Sequence, residues 1–215
     1  MQPKAIIFDL DGVLTDTSEY HYQAWKKLAD DEGIPFTREE NDTHLRGVGR
    51  RESLAYIIRG RHYSEDQIQE MMDRKNKYYN EKVKQMTPKE LVAGGRELLT
   101  EIRKAGIKTA IASVSKNCQM VLDLLQITDL FDGIADGNCV ANSKPAPDIF
   151  VYAAGLVHVH TIDCLGIEDA NAGIEAIKTA GMQALGIGPK ERFQRADKVL
   201  ATMENVHLQD LLIQK

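Results

Sequence analysis

Short apolar runs alternate with helical patterns over most of the chain. The apolar runs cover residues 5–8, 107–112, 161–166 and 182–187. The helical patterns cover residues 96–104, 116–125, 147–154 and 172–180. Strands that alternate with helices are typical of βαβ units, which build a parallel sheet covered by helices on both faces. The pattern therefore predicts an α/β fold with a Rossmann-like parallel-sheet core.

Residues 16–87 interrupt this alternation and contain no strand pattern. Helical patterns in this segment cover residues 18–31, 51–58 and 64–84. Ser64 and Gln67 have the spacing of a capping box at the start of the third helix. We therefore expect an inserted α-helical cap domain of residues 16–87, placed after the first strand of a catalytic core built from residues 1–15 and 88–215.

Composition and charge narrow the class of protein. The fractions of hydrophobic and charged residues, 43% and 27%, are those of an ordinary globular domain, and the net charge of −5 argues against a broad nucleic-acid surface. No apolar stretch approaches membrane-spanning length, and the first residues lack the apolar segment of a signal peptide. The three cysteines are widely spaced. We therefore expect a cytoplasmic, monomeric protein that binds small molecules, with no nucleic-acid or membrane partner.

Two carboxylates, Asp9 and Asp11, follow the first apolar run, and Gly12 comes next. Ligands of an open parallel sheet bind at the carboxyl ends of its strands, so both acids are placed where chemistry occurs. A near-extended chain directs the two side chains to the same side. Aspartate and glycine are also common in polar turns, so this motif alone leaves both a site and a simple strand cap open.

Three further segments carry polar residues at comparable positions. Residues 113–117 form a hydroxyl-rich turn before a helix, which can bind phosphate or simply cap the helix. Lys144 precedes a helix, and two neighbouring prolines restrict its backbone. Glu168 and Asp169 follow another apolar run and suit Mg²⁺, which prefers carboxylates, water and phosphate as ligands.

A strand-end aspartate, a strand-end serine, a lysine and a strand-end acidic pair, in this order, are the four-part motif of the haloacid dehalogenase superfamily. The sequence resembles that superfamily over its whole length. The resemblance implies a Mg²⁺-dependent phosphoryl-transfer enzyme, with Asp9 as the nucleophile and Asp11 as the general acid and base. It implies that Ser113 and Lys144 bind the transferring phosphoryl group. The implied metal ligands are Asp9, Asp11, Glu168 and Asp169.

The cap and its borders resemble the phosphomutases of this superfamily that interconvert β-D-glucose 1-phosphate and glucose 6-phosphate through β-glucose 1,6-bisphosphate. In that group an arginine that aligns with Arg50 binds the phosphate that is not being transferred. Ser115 and Asn117 align with residues that contact the same phosphate, and Thr17 and His21 align with a hinge pair. The other positions implied on the substrate side are Arg46, Gly47, Val48, Ser53, Lys75 and Val114.

Other readings of the same residues remain open. Arg46 stands where the phosphomutase group commonly has lysine, which differs in geometry and hydrogen bonding. His21 could be a packing residue, and the arginines around Arg50 could be a solvated basic run. A sugar-phosphate phosphatase on the same scaffold is the main alternative, because it too needs an acid at Asp11. A non-catalytic sugar-phosphate sensor is disfavoured, because a sensor has no reason to keep a nucleophile beside an acid.

Overall fold

Residues 2–213, which the computed structural model describes, form six strands and nine α-helices. The strands are β1 (Ala5–Phe8), β2 (Lys108–Ala112), β3 (Gly133–Ala135), β4 (Cys164–Glu168), β5 (Gln183–Ile187) and β6 (Lys198–Leu200). The helices are α1 (Ser18–Asp31), α2 (Arg38–His44), α3 (Arg50–Ile57), α4 (Glu65–Val83), α5 (Gly95–Lys104), α6 (Cys118–Leu124), α7 (Asp148–Leu156), α8 (Asn171–Thr179) and α9 (Leu208–Leu211). Short 3₁₀ helices cover Pro88–Glu90, Thr128–Leu130, Thr161–Asp163 and Lys190–Arg192.

The side chains of each strand alternate between two hydrophobic cores. Ile6 and Phe8 of β1 pack into the core that also contains residues of α5 and α6. Ala5 and Ile7 pack into the core on the other face, against α7 and α8. All four side chains are fully buried, which explains why the first strand is a continuous apolar run rather than an alternating one.

All six strands are parallel and lie in the order β3-β2-β1-β4-β5-β6. The chain moves outward from β1 through β2 to β3 and then returns to place β4 beside β1. Phe8 at the end of β1 is therefore in register with Ile111 of β2 and Ile167 of β4. A reversal of strand order opens a crevice at the carboxyl ends of the strands. The α/β fold with a parallel-sheet core, expected from the sequence, is confirmed.

Four helices, α1 to α4, lie between β1 and β2, and α1, α3 and α4 share a hydrophobic cluster of their own. The buried members of this cluster include Trp25, Leu28, Leu54, Ile57 and Met71. The capping box predicted before α4 is present, since the Ser64 hydroxyl accepts from the Gln67 amide and the Gln67 side chain accepts from the Ser64 amide. No helix of residues 2–213 has both the length and the apolar character needed to cross a membrane.

The two chain segments that connect these four helices to the sheet run side by side. The Val92 amide donates to the Leu14 carbonyl over 2.8 Å. The Thr15 hydroxyl donates to the Glu90 carbonyl over the same distance. The segment that leaves the sheet is therefore bonded to the segment that returns to it.

Several elements differ from the sequence expectation. Helix α2 was not predicted, because only Asn41 of its seven residues is buried and its sequence has no apolar periodicity. Strands β3 and β6 were also missed, because each has only three residues. Strand β4 begins at Cys164 rather than at residue 161, because the preceding residues form a 3₁₀ turn. Residues 1 and 214–215 of the predicted core lie outside the described residues.

Gly166 of β4 allows α8 to approach the sheet, and we expect alanine there to destabilise the protein. A Cβ at this position would lie 2.6 Å from Cγ1 of Ile177, so Gly166→Ala should lower the free energy of unfolding by about 1–3 kcal/mol. Urea denaturation measures the loss. Ile177→Ala removes the obstructing atoms, so the double variant should lose less stability than the sum of the two single losses.

Gly155 is the matched control for this experiment. It lies in α7, and a Cβ there would meet no heavy atom within 4 Å. Gly155→Ala should therefore leave stability unchanged or raise it by about 0.5–1 kcal/mol, because alanine is the better helix former. Equal losses from the two glycine substitutions would show that the contact with Ile177 is not the cause.

Candidate active site

The ends of three neighbouring strands bring polar residues to one edge of the sheet. Asp9 follows β1, Ser113 follows β2 and Asp169 follows β4, and all three are buried. The Asp9 amide still donates to the Ile167 carbonyl, so sheet pairing holds the backbone of this residue. The Ser113 amide donates in the same way to Ala135 of β3. Sheet hydrogen bonding therefore fixes the main chain at these two positions.

Lys144 connects the acids of two strands. Its ammonium donates to Oδ1 of Asp9 over 2.6 Å and to Oε1 of Glu168 over 2.7 Å. Burial alone would lower the pKa of this ammonium, but the two carboxylates raise it above its ordinary value. The side chain is fully enclosed and lies over the ring of Phe150. Lys144 is therefore a fixed positive charge beneath Asp9.

Asp9, Glu168 and Asp169 form a buried carboxylate cluster. One oxygen of each lies within 4.8 Å of the others. Burial raises the pKa of Asp9 well above its usual range, with Lys144 opposing this and Glu168 adding to it. Burial and the neighbouring Glu168 raise the pKa of Asp169 to about 7. Three buried acids beside one lysine thus favour a further cation, and hard oxygen donors at this spacing fit a divalent metal ion.

Gly12 allows the loop after β1 to pass close to this cluster. Its φ is +81°, and a Cβ would lie 2.4 Å from Oδ2 of Asp169. No other residue type fits both the backbone conformation and the space. The backbone next to Asp11 therefore lies against the Asp169 carboxylate, which is consistent with a metal ligand from the Asp11 carbonyl.

The side chain of Asp11 faces the helical segment. The Thr17 hydroxyl donates to Oδ1 of Asp11 and in turn accepts from the Tyr79 hydroxyl over 3.4 Å. Oδ2 of Asp11 lies 3.9 Å from Nε2 of His21. Burial raises the pKa of Asp11, and the bond from Thr17 opposes the rise. A carboxyl group with a raised pKa can carry a proton near neutral pH, as a general acid must.

His21 and Lys75 extend this arrangement. Nζ of Lys75 lies 2.9 Å from Nδ1 of His21. Burial and the nearby lysine lower the pKa of His21 well below its ordinary value, so the imidazole is neutral. When the Lys75 side chain donates to Nδ1, the ring hydrogen of His21 lies on Nε2, toward Asp11. His21 and Lys75 therefore connect helix α4 to Asp11, the acid in the loop after β1.

The helical segment contributes a second group of cations. Arg50, at the start of α3, is half-buried, and within residues 2–213 it forms no ion pair. Burial lowers its pKa, but a guanidinium stays charged at neutral pH. Burial and Arg50 lower the pKa of Lys75 well below its ordinary value. Among residues 2–213 neither Arg50 nor Lys75 pairs with a carboxylate, and basic side chains of this kind are typical of an anion site.

Asp9 and Asp169 of the sheet edge and Arg50 and Lys75 of the helical segment line one cavity of about 90 Å³. The predicted site residues that line it are Asp9, Asp11, His21, Arg46, Gly47, Val48, Arg50, Ser53, Lys75, Ser113, Val114, Ser115 and Asp169. Four predicted residues are not part of the lining, namely Thr17, Asn117, Lys144 and Glu168. Thr17 contacts Asp11 and Lys144 contacts Asp9, while Glu168 belongs to the same carboxylate cluster as Asp9 and Asp169.

Sequence reasoning missed five residues that also line the cavity: Ser18, Trp25, Asn41, Leu45 and Lys116. One of them carried a usable signal. Trp25 follows His21 by four residues in α1, and residues at this spacing share a helix face. Asn41 had no such signal, because α2 itself was not predicted.

The loop after β2 is held by its own hydroxyls. Oγ of Ser113 accepts from the Ser115 amide over 3.1 Å, and Oγ of Ser115 accepts from the Asn117 amide over 3.3 Å. The side-chain amide of Asn117 donates to Oδ1 of Asn76 in α4 over 2.8 Å. Asn117, implied by the resemblance to bind substrate, thus contacts the helical segment in this structure.

Known proteins match the chain over nearly its whole length. The chain is 43% identical over 210 residues to the β-phosphoglucomutase of Bacillus subtilis strain 168, covering 96% of this chain and 92% of that protein. It is 29% identical to a phosphorylated carbohydrates phosphatase of Thermotoga maritima, covering 85% of this chain and 83% of the relative. The crystal structure of β-phosphoglucomutase from Clostridium difficile superposes with a TM-score of 0.93 at 39% identity, covering 97% and 95% of the two chains.

The haloacid dehalogenase-like hydrolase family matches residues 6–187, which include all four parts of the strand-end motif. The matched residues extend from β1 through β5 and include the helices between these strands. The resemblance expected from the sequence is confirmed. The chain is a member of the haloacid dehalogenase-like hydrolase family.

Proposed function

We propose that this chain is a β-phosphoglucomutase, which interconverts β-D-glucose 1-phosphate and glucose 6-phosphate through β-glucose 1,6-bisphosphate. The similarity to the Bacillus subtilis and Clostridium difficile enzymes, over more than nine tenths of the chain, supports this activity. It is accordingly an enzyme that acts on small sugar phosphates. Its cytoplasmic location, its monomeric state and its lack of nucleic-acid or membrane partners stay predictions.

One observation carries the proposal: a single cavity has strand-end acids at one end and basic side chains of the helical segment at the other. Lys144 and the carboxylate cluster lie at the sheet edge, and Arg50 and Lys75 lie on the helices opposite. A monophosphate needs only the first end. A sugar bisphosphate needs both, because one phosphate reacts while the other has to be held.

The chemistry at the sheet edge begins with the Asp9 carboxylate, which attacks phosphorus and forms an aspartyl phosphate as the bond from phosphorus to the sugar oxygen breaks. Asp11 donates its proton to that oxygen and, in the reverse direction, accepts a proton from the attacking sugar hydroxyl. Lys144 favours the ionised form of the buried Asp9, and Lys144 and Ser113 stabilise the negative charge on the transferring group. The contacts of each side chain support these roles.

A magnesium ion fits the same edge. Asp9, Glu168, Asp169 and the Asp11 carbonyl would hold it. When bound, it supplies positive charge that lowers the energy of the phosphoryl oxygens in the transition state. The raised pKa of Asp9 and of Asp169 is then reversed, because a cation favours the ionised form of both acids.

We further propose that residues 16–87 act as a cap that opens to admit the substrate. The cavity volume of about 90 Å³ is below the roughly 300–1,000 Å³ of ordinary ligand pockets. This small volume supports a closed position of the helical segment in the structure. Closure over a bound sugar excludes water, which would otherwise hydrolyse the aspartyl phosphate.

A sugar-phosphate phosphatase is the second candidate, and the similarity to the Thermotoga maritima phosphatase is the observation that favours it. The two activities differ in what accepts the phosphoryl group. Incubation with β-glucose 1-phosphate, Mg²⁺ and a trace of the bisphosphate separates them. A mutase yields glucose 6-phosphate with little free phosphate, whereas a phosphatase yields free phosphate and glucose.

Removal of the nucleophile is the first test. Asp9→Asn should abolish turnover and the acid-labile phosphoenzyme, because an amide does not attack phosphorus. The thermal transition should persist, since the side chain keeps its shape. Asp129→Asn, on the exposed surface, is the control and should behave like wild type. Phosphate recovered on the peptide of residue 9 in Asp9→Asn would end this assignment.

Metal dependence is the second test. EDTA should stop turnover and Mg²⁺ should restore it, and Asp169→Asn should require at least about tenfold more Mg²⁺ because a buried ligand is lost. The control is Asp163→Asn, which removes a surface acid paired with Lys4 at the other end of β4. The same Mg²⁺ requirement in wild type and Asp169→Asn would place the metal elsewhere.

Arg50 provides the most discriminating test. Arg50→Ala should reduce mutase turnover at least tenfold, since charge-assisted hydrogen bonds are worth about 1.5–3 kcal/mol each. Hydrolysis of acetyl phosphate, which has no second phosphate, should change far less. The matched control is Arg51→Ala, because Arg51 pairs with Glu65 at the surface. Unchanged mutase turnover in Arg50→Ala would favour the phosphatase.

A further inference from the structure

Arg46 reaches from the helical segment to the carboxylate cluster. Its Nη2 atom donates to Oδ2 of Asp169 over 2.8 Å. The next residue, Gly47, lies against the loop after β4, since a Cβ on Gly47 would be 3.0 Å from that of Ala170. The resemblance placed Arg46 on the substrate side, whereas the structure joins it to an acid of the expected metal site.

The cluster has two cations, one from each side of the cavity. Lys144 bonds to Asp9 and Glu168, and Arg46 bonds to Asp169. Among residues 2–213, Arg46 is the only basic side chain in an ion pair with Asp169. Lys144 is fully enclosed, but the Arg46 side chain is 31% exposed. Arg46 is therefore the cation that can move away from Asp169 without disrupting the buried core.

The Arg46–Asp169 pair also separates two spaces. Both residues line the enclosed cavity, and both line an outer cleft of about 410 Å³ on the other side. The outer cleft is bordered by Gly12, Asp16 and Glu90, so it reaches the same loop that approaches the cluster. A small cation in this cleft therefore reaches the Arg46–Asp169 pair itself.

We propose that Arg46 is a cap-borne counterion that occupies the place of the metal ion at Asp169 in the closed, metal-free chain. A guanidinium and a divalent cation on one carboxylate repel each other, so metal binding displaces Arg46. Coupling of this kind is reciprocal: the Arg46 contact weakens metal binding, and metal binding loosens the loop that carries Arg46. This inference rests on the proposed metal site.

Calorimetric titration of the full chain with Mg²⁺, without sugar phosphate, tests the competition. Arg46→Gln should bind Mg²⁺ about threefold more tightly or better, the range expected when a partly exposed ion pair is lost. Arg46→Lys keeps the charge and should stay within about twofold of wild type. Arg51→Gln removes a charge from the same segment without touching Asp169, and it should also stay within that range. Asp169→Asn gives the Mg²⁺ affinity that remains when a ligand of the metal site is lost.

Hydrogen exchange provides a readout that a general charge effect does not give. Mg²⁺ should increase amide exchange in residues 46–49 of wild type and leave it unchanged in Arg46→Gln. Unchanged or weaker Mg²⁺ binding in Arg46→Gln, or equal tightening in Arg51→Gln or Arg46→Lys, would overturn the competition while leaving the metal site intact. A wild-type chain that binds no Mg²⁺ would overturn the metal site as well.

Discussion

The buried contact of Lys144 with Asp9 and Glu168 is the interaction on which the rest of the site depends. An acid without a cation at this depth would take up a proton, and a protonated carboxyl is a poor nucleophile. Because the lysine lies beneath the acids, it supplies charge without occupying the space above them. Removal of either partner would leave a buried charge uncompensated, which typically costs about 3–5 kcal/mol.

Polar contacts between the helical segment and the sheet occur at the loops that follow the strands. Arg46 contacts Asp169, and Asn76 contacts Asn117 in the loop that follows Ser113. These contacts lie at the carboxyl edge of the sheet, where the strand order reverses. The position of the helices and the charge state of the core are therefore linked by a few side chains.

Much of the fold could be predicted from the sequence where one physical signal dominates. The bounds of β1 and α1 agree with the prediction, because a short run buried on both faces and an amphipathic helix are unmistakable patterns. The strand-end acids were predicted from position alone. Strand β3 could not be predicted, since three residues, of which only Ala135 is fully buried, carry too little pattern.

The contacts between the helical segment and the loops of the sheet could not be predicted from the sequence, for a different reason. Arg46 and Asp169 are 123 residues apart, and Asn76 and Asn117 are 41 apart. Such pairs depend on how the inserted helices lie on the sheet, which no local pattern records. Trp25 is the exception among the cavity residues that were missed, because its spacing from His21 would have placed it on the same face of α1.

The two hydrogen-bonded segments that connect the helices to the sheet have a mechanical consequence. Because the outgoing chain at Leu14 and Thr15 is bonded to the returning chain at Glu90 and Val92, the two connections cannot twist independently. The helices beyond these connections would then rotate together about one axis, located at these hydrogen bonds. A rotation of a few degrees there becomes a much larger displacement at the far end of the helices.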